Sequence, residues 1–305
     1  MANVPVFWLG PLGRLVPLGC PESGLSNSIQ MQAAVNTSVN MHNTVDLQGF
    51  RRTWTMDQAW LDENDVSALE AMFTGMIMPP LRIIDPLKTN RFRPSVAVPR
   101  VTSLWNGGLE SWALTRGEGT VKPLPNPGHP DFTYADEGRS VAYRPDSGVT
   151  WNPSKDGAVL YPNGPRRANG ALRKSTVDPV LPGEVITVSF WLKTTGTGTA
   201  TFGLSTVAPD LTGSFGTALT FNNTAWQRLH LTYPVPEDGS VIGLAPYFSG
   251  ANALDVQIGP GQLEAASEPS PWQAGYGAPE VVITQFDSVS PRFPLVTASL
   301  TILEL

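Results

Sequence analysis

Short runs in which apolar and polar residues alternate dominate the stretch from Val185 to Trp272. Ile186, Val188, Phe190 and Leu192 fall on one face of such a run, and Thr187, Ser189, Trp191 and Lys193 on the other. Leu229, Leu231 and Tyr233 likewise oppose Trp226, Arg228, His230 and Thr232, while Leu254, Val256 and Ile258 oppose Asp255 and Gln257. Successive side chains of a β-strand point to opposite faces, so each run predicts a strand with one apolar face for a shared core and one mixed face outside. With Gly and Pro turns between them, the runs predict a β-sandwich.

The flanks read differently. Ile29, Met31, Ala33 and Val35 alternate with Gln30, Gln32, Ala34 and Asn36, predicting a half-buried strand, and Arg52-Thr53-Trp54-Thr55-Met56 predicts another. One helix follows: Asp62 caps it, Glu63 and Asp65 occupy its first turn, Val66, Leu69, Met72 and Phe73 line a face, and Gly75 stops it. Pro79-Pro80 leads into a short strand, Leu81-Arg82-Ile83-Ile84, ended by Asp85-Pro86. Residues 122–184 are rich in Pro, Gly and Asn and divide only partly into strands. At the far end Val296, Ala298, Leu300 and Ile302 alternate with Thr297, Ser299, Thr301 and Glu304. A lone terminal strand needs a sheet to join, and the first hundred residues supply one. The expected fold is therefore mainly β: a discontinuous domain with one helix, built from residues 1–98 and 279–305, carrying a sandwich inserted at 99–278.

Composition agrees with that division. The 305 residues are enough for two cores, and 29 Gly with 29 Pro make turns dense. Charged residues are 15% of the chain, below the roughly 25% of ordinary soluble proteins, and the net charge is −6. That balance argues against a nucleic-acid partner, since phosphate neutralisation needs clustered Lys and Arg. No apolar run is long enough to span a membrane, and no positive charge precedes the broken apolar stretch before Cys20, so neither membrane insertion nor a signal peptide is expected. Cys20 is the sole cysteine, which excludes an intrachain disulfide and reads as an inert thiol.

No catalytic constellation stands out. His42, His129 and His230 lie far apart with no metal-binding spacing, and no G-x-S-x-G elbow occurs. Paired carboxylates for glycoside hydrolysis can be nominated in any chain with 26 acidic residues, so they decide nothing. An enzyme is not expected.

Several motifs carry a resemblance. Gly49 to Trp54, Trp60 ahead of the helix, Pro79-Pro80-Leu81 running into Ile84-Asp85-Pro86, Asn90-Arg91, and the closing strand to Leu305 resemble distal tail proteins of long-tailed, particularly actinobacterial, bacteriophages. Asn106-Gly107-Gly108-Leu109-Glu110 with Trp112, Val188 to Lys193, Trp226-Gln227-Arg228-Leu229, and Gln262-Leu263-Glu264 to Trp272 resemble carbohydrate-binding-module jelly rolls. The first resemblance implies a tail-tube-like domain and a minor tail protein of the virion, assembled in the host cytoplasm. It also implies a homo-oligomeric ring at the tail tip between the tail tube and the tip proteins. The second implies a jelly-roll insertion that meets host cell-wall glycans. The alternative is a host-recognition adhesin whose main work is saccharide binding.

On the sandwich's outward face, Trp191, Trp226 and Tyr247 are candidates to stack on sugar rings, with Arg228, His230 and Gln257 to bond hydroxyls. Packing against the sheet is the competing role for each tryptophan, and Trp105, Trp112, Trp151 and Trp272 are assigned to structure. The jelly-roll resemblance also implies a structural calcium ion, with Glu110 and Asp255 among its oxygen ligands; otherwise both acids are simply exposed.

Overall fold

A computed structural model describes residues 6–19, 21, 24–37, 43–99, 119–125, 132–136, 139–143, 147–161, 177–292 and 294–305. Cys20, His42, Trp105, the 106–112 motif with Glu110 and Trp112, and His129 lie outside the described residues. Along the chain the first elements are β1 (Phe7–Gly10), β2 (Val16–Leu18), β3 (Leu25–Thr37), β4 (Asn43–Leu61), α1 (Glu63–Phe73) and β5 (Leu81–Ile84). Then come a single turn, α2 (Pro94–Ala97), and β6 (Gly119–Pro125), β7 (Phe132–Asp136), β8 (Arg139–Tyr143), β9 (Ser147–Pro153), β10 (Ala158–Leu160) and β11 (Asp178–Pro179). The rest are β12 (Val185–Gly196), β13 (Ala200–Val207), β14 (Gly213–Phe221), β15 (Gln227–Pro234), β16 (Gly243–Gly250), β17 (Leu254–Glu264), β18 (Glu280–Arg292) and β19 (Leu295–Glu304). The chain divides into two compact units, Met1–Pro86 with Pro279–Leu305, and Leu87–Ala278.

In the first unit both chain ends share a seven-stranded antiparallel sheet ordered β2-β1-β5-β18-β19-β4-β3. The helix α1 starts where Asp62 accepts a hydrogen bond from the Asp65 N–H (2.9 Å) and ends before Gly75, whose φ of 78° is left-handed. Leu69 and Met72 of this helix share a core with Trp54, Met56, Leu81, Val281, Leu300 and Ile302. Within that core the Trp54 indole donates to the buried Asp85 carboxylate at 3.3 Å, tying two of the sequence motifs together. Glu304 corrects the reading of the last strand. It has the parity of Leu300 and Ile302, is 6% exposed, and its Oε2 accepts from the Arg52 N–H (2.9 Å) just past the last β4–β19 pair, Thr53 with Leu303.

Beyond that pair β4 has one partner left. From Ile29 opposite Arg52 to Thr37 opposite Asn43, β3 and β4 run on as a two-stranded ribbon, about 30 Å long at the usual rise per residue. At Ile29 and Met31 the expectation of a half-buried strand fails, since they are 59% and 57% exposed, and Phe50 on β4 is 46% exposed. Met31 is opposite Phe50, so the two side chains share a face of the ribbon.

The second unit is the sandwich. One sheet runs β10-β16-β13-β14, with β11 beside β16, and the other runs β15-β12-β17-β9-β6, all neighbours antiparallel. The inward faces interdigitate through aromatic rings, with Phe190 edge-on to Phe202 (5.5 Å) and Phe248 (5.3 Å) and those two stacked (5.4 Å). Trp151 is buried in the same core. The strands β7 and β8 pair separately.

The sandwich starts at 87, not at 99. Asn90, wholly buried, donates to the carbonyls of Gly261 and Gln273 (both 2.9 Å) and accepts from the N–H groups of Phe92 and Leu263 (both 3.1 Å). Arg91 donates to Glu184 through two nitrogens (2.8 and 2.6 Å) and to the Pro179 carbonyl (3.2 Å). Phe92 then sits 5.4 Å from Phe190 in the core. A residue with four hydrogen bonds inside one unit belongs to that unit, so Asn90-Arg91 is part of the sandwich rather than of the first domain.

Candidate functional site

The alternation of β12 and β15 does turn Trp191, Arg228 and His230 away from the core, but half of this outer face is not open. In register, Trp191 faces Arg228 and Ser189 faces His230. Thr187 and Ser189 are nonetheless fully buried, because the chain after β17 returns over them. Thr187 Oγ1 donates to the Ala266 carbonyl (2.7 Å) and Thr232 Oγ1 to the Ser267 carbonyl (3.3 Å). Gln262 and Glu264 then bind Ser270, and the Trp272 indole donates to the Gly261 carbonyl (3.2 Å). The segment 265–273 is thus a strap across one end of the sheet.

Arg228 is tied into this strap. Its Nη1 donates to the Ser270 carbonyl (2.6 Å), and Nε and Nη2 both reach Ser189 Oγ (3.2 and 3.0 Å). Burial pushes the guanidinium's pKa down and Glu264 pushes it back up, the balance of a structural cation. His230, 43% exposed at its side chain, has its Nε2 3.8 Å from Glu268. Alternation located these residues correctly on the outer face, but no sequence period reports a coil folding back across it.

Tyr247 lies on the other sheet, so the six residues do not form one site. It pairs with Gly203 of β13, and its ring lies across that glycine: a Cβ there would come within 2.3 Å of Tyr247 Cζ. Phe215, 63% exposed, abuts the ring edge-on at 4.9 Å, and Tyr161 is 6.0 Å away with its hydroxyl 3.1 Å from Ser205 Oγ. Burial raises the Tyr247 phenol's pKa, and Tyr161 adds to the rise. Trp191 and Gln257 are half-buried on the β15-β12-β17 sheet, Gln257 opposite Lys193, and Trp226 is half-buried just ahead of β15.

Asp255 accepts a hydrogen bond from the Asn152 side-chain amide, and Thr120 Oγ1 donates to Asn152 Oδ1 at 3.4 Å. A calcium shell needs six to eight oxygens, and one oxygen of Asp255 is already engaged by this amide. Among the described residues no three His, Cys, Asp or Glu side chains group together, and Glu110, the other carboxylate of the expected pair, lies outside them.

Sequence reasoning did not find the described cavity. It is a shallow cleft of about 460 Å³ at the side of the sandwich, where β14 and β15 are the edge strands of the two sheets. Its floor is made of Leu219, Phe221 and Leu229, apolar side chains that pack on the core. Its rim carries Thr220, Asn223 and Gln227. The crossing turn is pinned to β12: the Thr194 N–H donates to the Asn223 carbonyl (2.7 Å), and Asn223 Nδ2 donates to the carbonyls of Leu192 (2.6 Å) and Ala225 (3.1 Å). Asn223 Oδ1 is left buried with no hydrogen-bond partner. The only sequence trace was Asn222-Asn223 before Trp226, a polar turn like many others.

No described helix is long and apolar enough to cross a membrane. Compared with protein-family models and with curated protein sequences, the chain matches none. Solved structures similar to part of it include the CBM22-1 and GH10 modules of Clostridium thermocellum endo-1,4-beta-D-xylanase 10B (12% identity, TM-score 0.33, 52% of this chain and 26% of that one). Another is the enzymatically active domain of Bacteriophage CBA120 tailspike protein 4 (11% identity, TM-score 0.36, 57% and 22%). A third is the C-terminal family 22 carbohydrate binding module of Clostridium thermocellum Xyn10B (18% identity, TM-score 0.32, 54% and 92%). The chain spans about a quarter of the first two, and 92% of the third module is matched by about half of this chain.

Proposed function

We propose that the chain is a structural subunit of a phage tail tip. Its first unit joins copies of itself in a ring between tail tube and tip proteins, and its sandwich faces host cell-wall glycans. The observation that carries this reading is the ribbon of β3 and β4. An isolated two-stranded hairpin is marginal in water, and this one exposes Ile29, Met31 and Phe50 as well. A further protein surface would supply what the ribbon lacks, and repeated copies of one subunit supply it with symmetry. The distal-tail resemblance adds the kind of assembly. It draws on Gly49 to Trp54 and Pro79 to Pro86, which the Trp54–Asp85 hydrogen bond joins in one core, and no longer on Asn90-Arg91.

Electron microscopy of the purified full-length protein, and of tails containing it, tests the reading. Rings with rotational symmetry are the expected result. A stable monomer at high concentration with no association with tails would overturn it. Deleting residues 87–278, the sandwich with its own N-terminal segment, separates the adhesin alternative: tails that assemble normally but adsorb poorly assign adhesion to the sandwich.

A further inference from the structure

We infer that the cleft between β14 and β15 is the saccharide site of the sandwich, and that it takes a neutral, polyhydroxylated ligand. This rests on the glycan-facing reading above and gives that reading a location other than the tryptophan-bearing outer face. Four observations lead there. The cleft volume of about 460 Å³ falls within the roughly 300–1,000 Å³ of small-ligand pockets. Its floor is apolar, with the partly buried Leu219 and Leu229 over the buried Phe221, which suits the C–H face of a sugar ring.

The rim bears amides and hydroxyls, and among the described residues none that lines the cleft carries a charge. Carboxamides and hydroxyls both donate and accept, which matches sugar hydroxyls and gives no counter-charge to an anion. Finally, Asn223 is held by its Nδ2, which donates to the Leu192 and Ala225 carbonyls, so its side-chain amide is set in place at the rim. The turn bearing these groups is fixed to β12 through Thr194 and Leu192, so the rim is preorganised rather than ordered on binding.

Saturation-transfer NMR and calorimetry on the full-length chain test the inference, with xylohexaose, cellohexaose, mannohexaose and arabinogalactan as neutral probes and hexagalacturonate as the anionic one. Titration to about 10 mM covers the weak, millimolar range expected of a shallow site. The expected result is saturable binding of at least one neutral probe, weaker by tenfold or more in both Gln227→Ala and the cleft-filling Ala225→Trp, with unchanged melting, and within twofold of wild type in Trp191→Ala. Binding that survives both cleft variants but is lost in Trp191→Ala overturns the cleft while leaving the glycan reading intact. Binding of no neutral probe by the wild-type chain, or tighter binding of hexagalacturonate, overturns both.

Discussion

Replacing Arg91 by Met should destabilise the sandwich selectively, and the size of the effect follows from its surroundings. The guanidinium is 6% exposed and its partner Glu184 18%, so the pair is largely out of water. Methionine fills the space but, among the described residues, leaves the Glu184 carboxylate with the Leu181 N–H at 2.8 Å as its donor, and it removes the Arg91 donor from the Pro179 carbonyl. Breaking a buried pair on one side costs about 3–5 kcal/mol, and the partial exposure of Glu184 argues for about 3. Hydrogen exchange read by mass spectrometry resolves the two units, which a single melting curve does not. Amides of β12 and β17 should exchange about 100-fold faster at 3 kcal/mol, while those of β19 keep their protection. Adding Glu184→Leu should recover much of the loss, because the uncompensated charge goes with it. By the same reasoning a fragment of residues 99–278 should fail to fold where 87–278 folds, since it lacks Asn90, Arg91 and Phe92. Loss of protection below about 1 kcal/mol, or equal loss in β19, would refute the assignment of this segment to the sandwich.

Three further outcomes are expected. Gly203→Ala forces a methyl into the Tyr247 ring, an overpacking cost of about 1–3 kcal/mol that should lower the sandwich's melting temperature by several degrees. Met31→Lys puts a charge on the exposed face of the ribbon and should abolish self-association in light scattering without lowering monomer stability. Tyr247 has its folded pKa raised, so its contribution is complete below the unfolded value of about 10 and is lost as pH rises through the folded one. Urea midpoints of wild type should therefore fall on the alkaline side of pH 10, and Tyr247→Phe should flatten that limb.

What the sequence disclosed depended on whether the signal was local. The helix α1 was legible because Asp62 and Gly75 are its own punctuation, and the core faces of β12, β15 and β17 because a period of two fixes which side chains point inward. It was mute where distant chain segments decide. Thr187 and Ser189 alternate as outward residues, and they are outward, but the strap over them comes from residues 265–273. Ile29 and Met31 alternate identically whether or not anything covers them. Tyr247 reads like Trp191, yet strand order puts them on different sheets. Asn90-Arg91 groups with the motifs of the first domain, because a hydrogen bond across 171 residues leaves no mark in the neighbouring sequence.

The sheet edges connect the two functional proposals. Exposed edge strands invite pairing, and proteins guard them with charge, proline or brevity. The edge β2 has three residues with Pro17 at its centre; β6 carries Lys122, Pro123 and Pro125; β15 carries Arg228 and Pro234; β10 has three residues. Two edges have no such guard: β3, with 13 residues, and β14, with 9, contain no Asp, Glu, Lys, Arg or Pro. An edge left unguarded in a chain that guards its others is an edge meant to be covered. One of the two borders the ribbon proposed to join copies of the chain, and the other forms a wall of the cleft proposed to take a neutral saccharide. Charging each edge in turn separates the roles: Gln30→Lys on β3 should disperse the oligomer and spare saccharide affinity, whereas Thr220→Lys on β14 should do the reverse, and a variant that changed both readouts together would undo the assignment of separate tasks to the two edges.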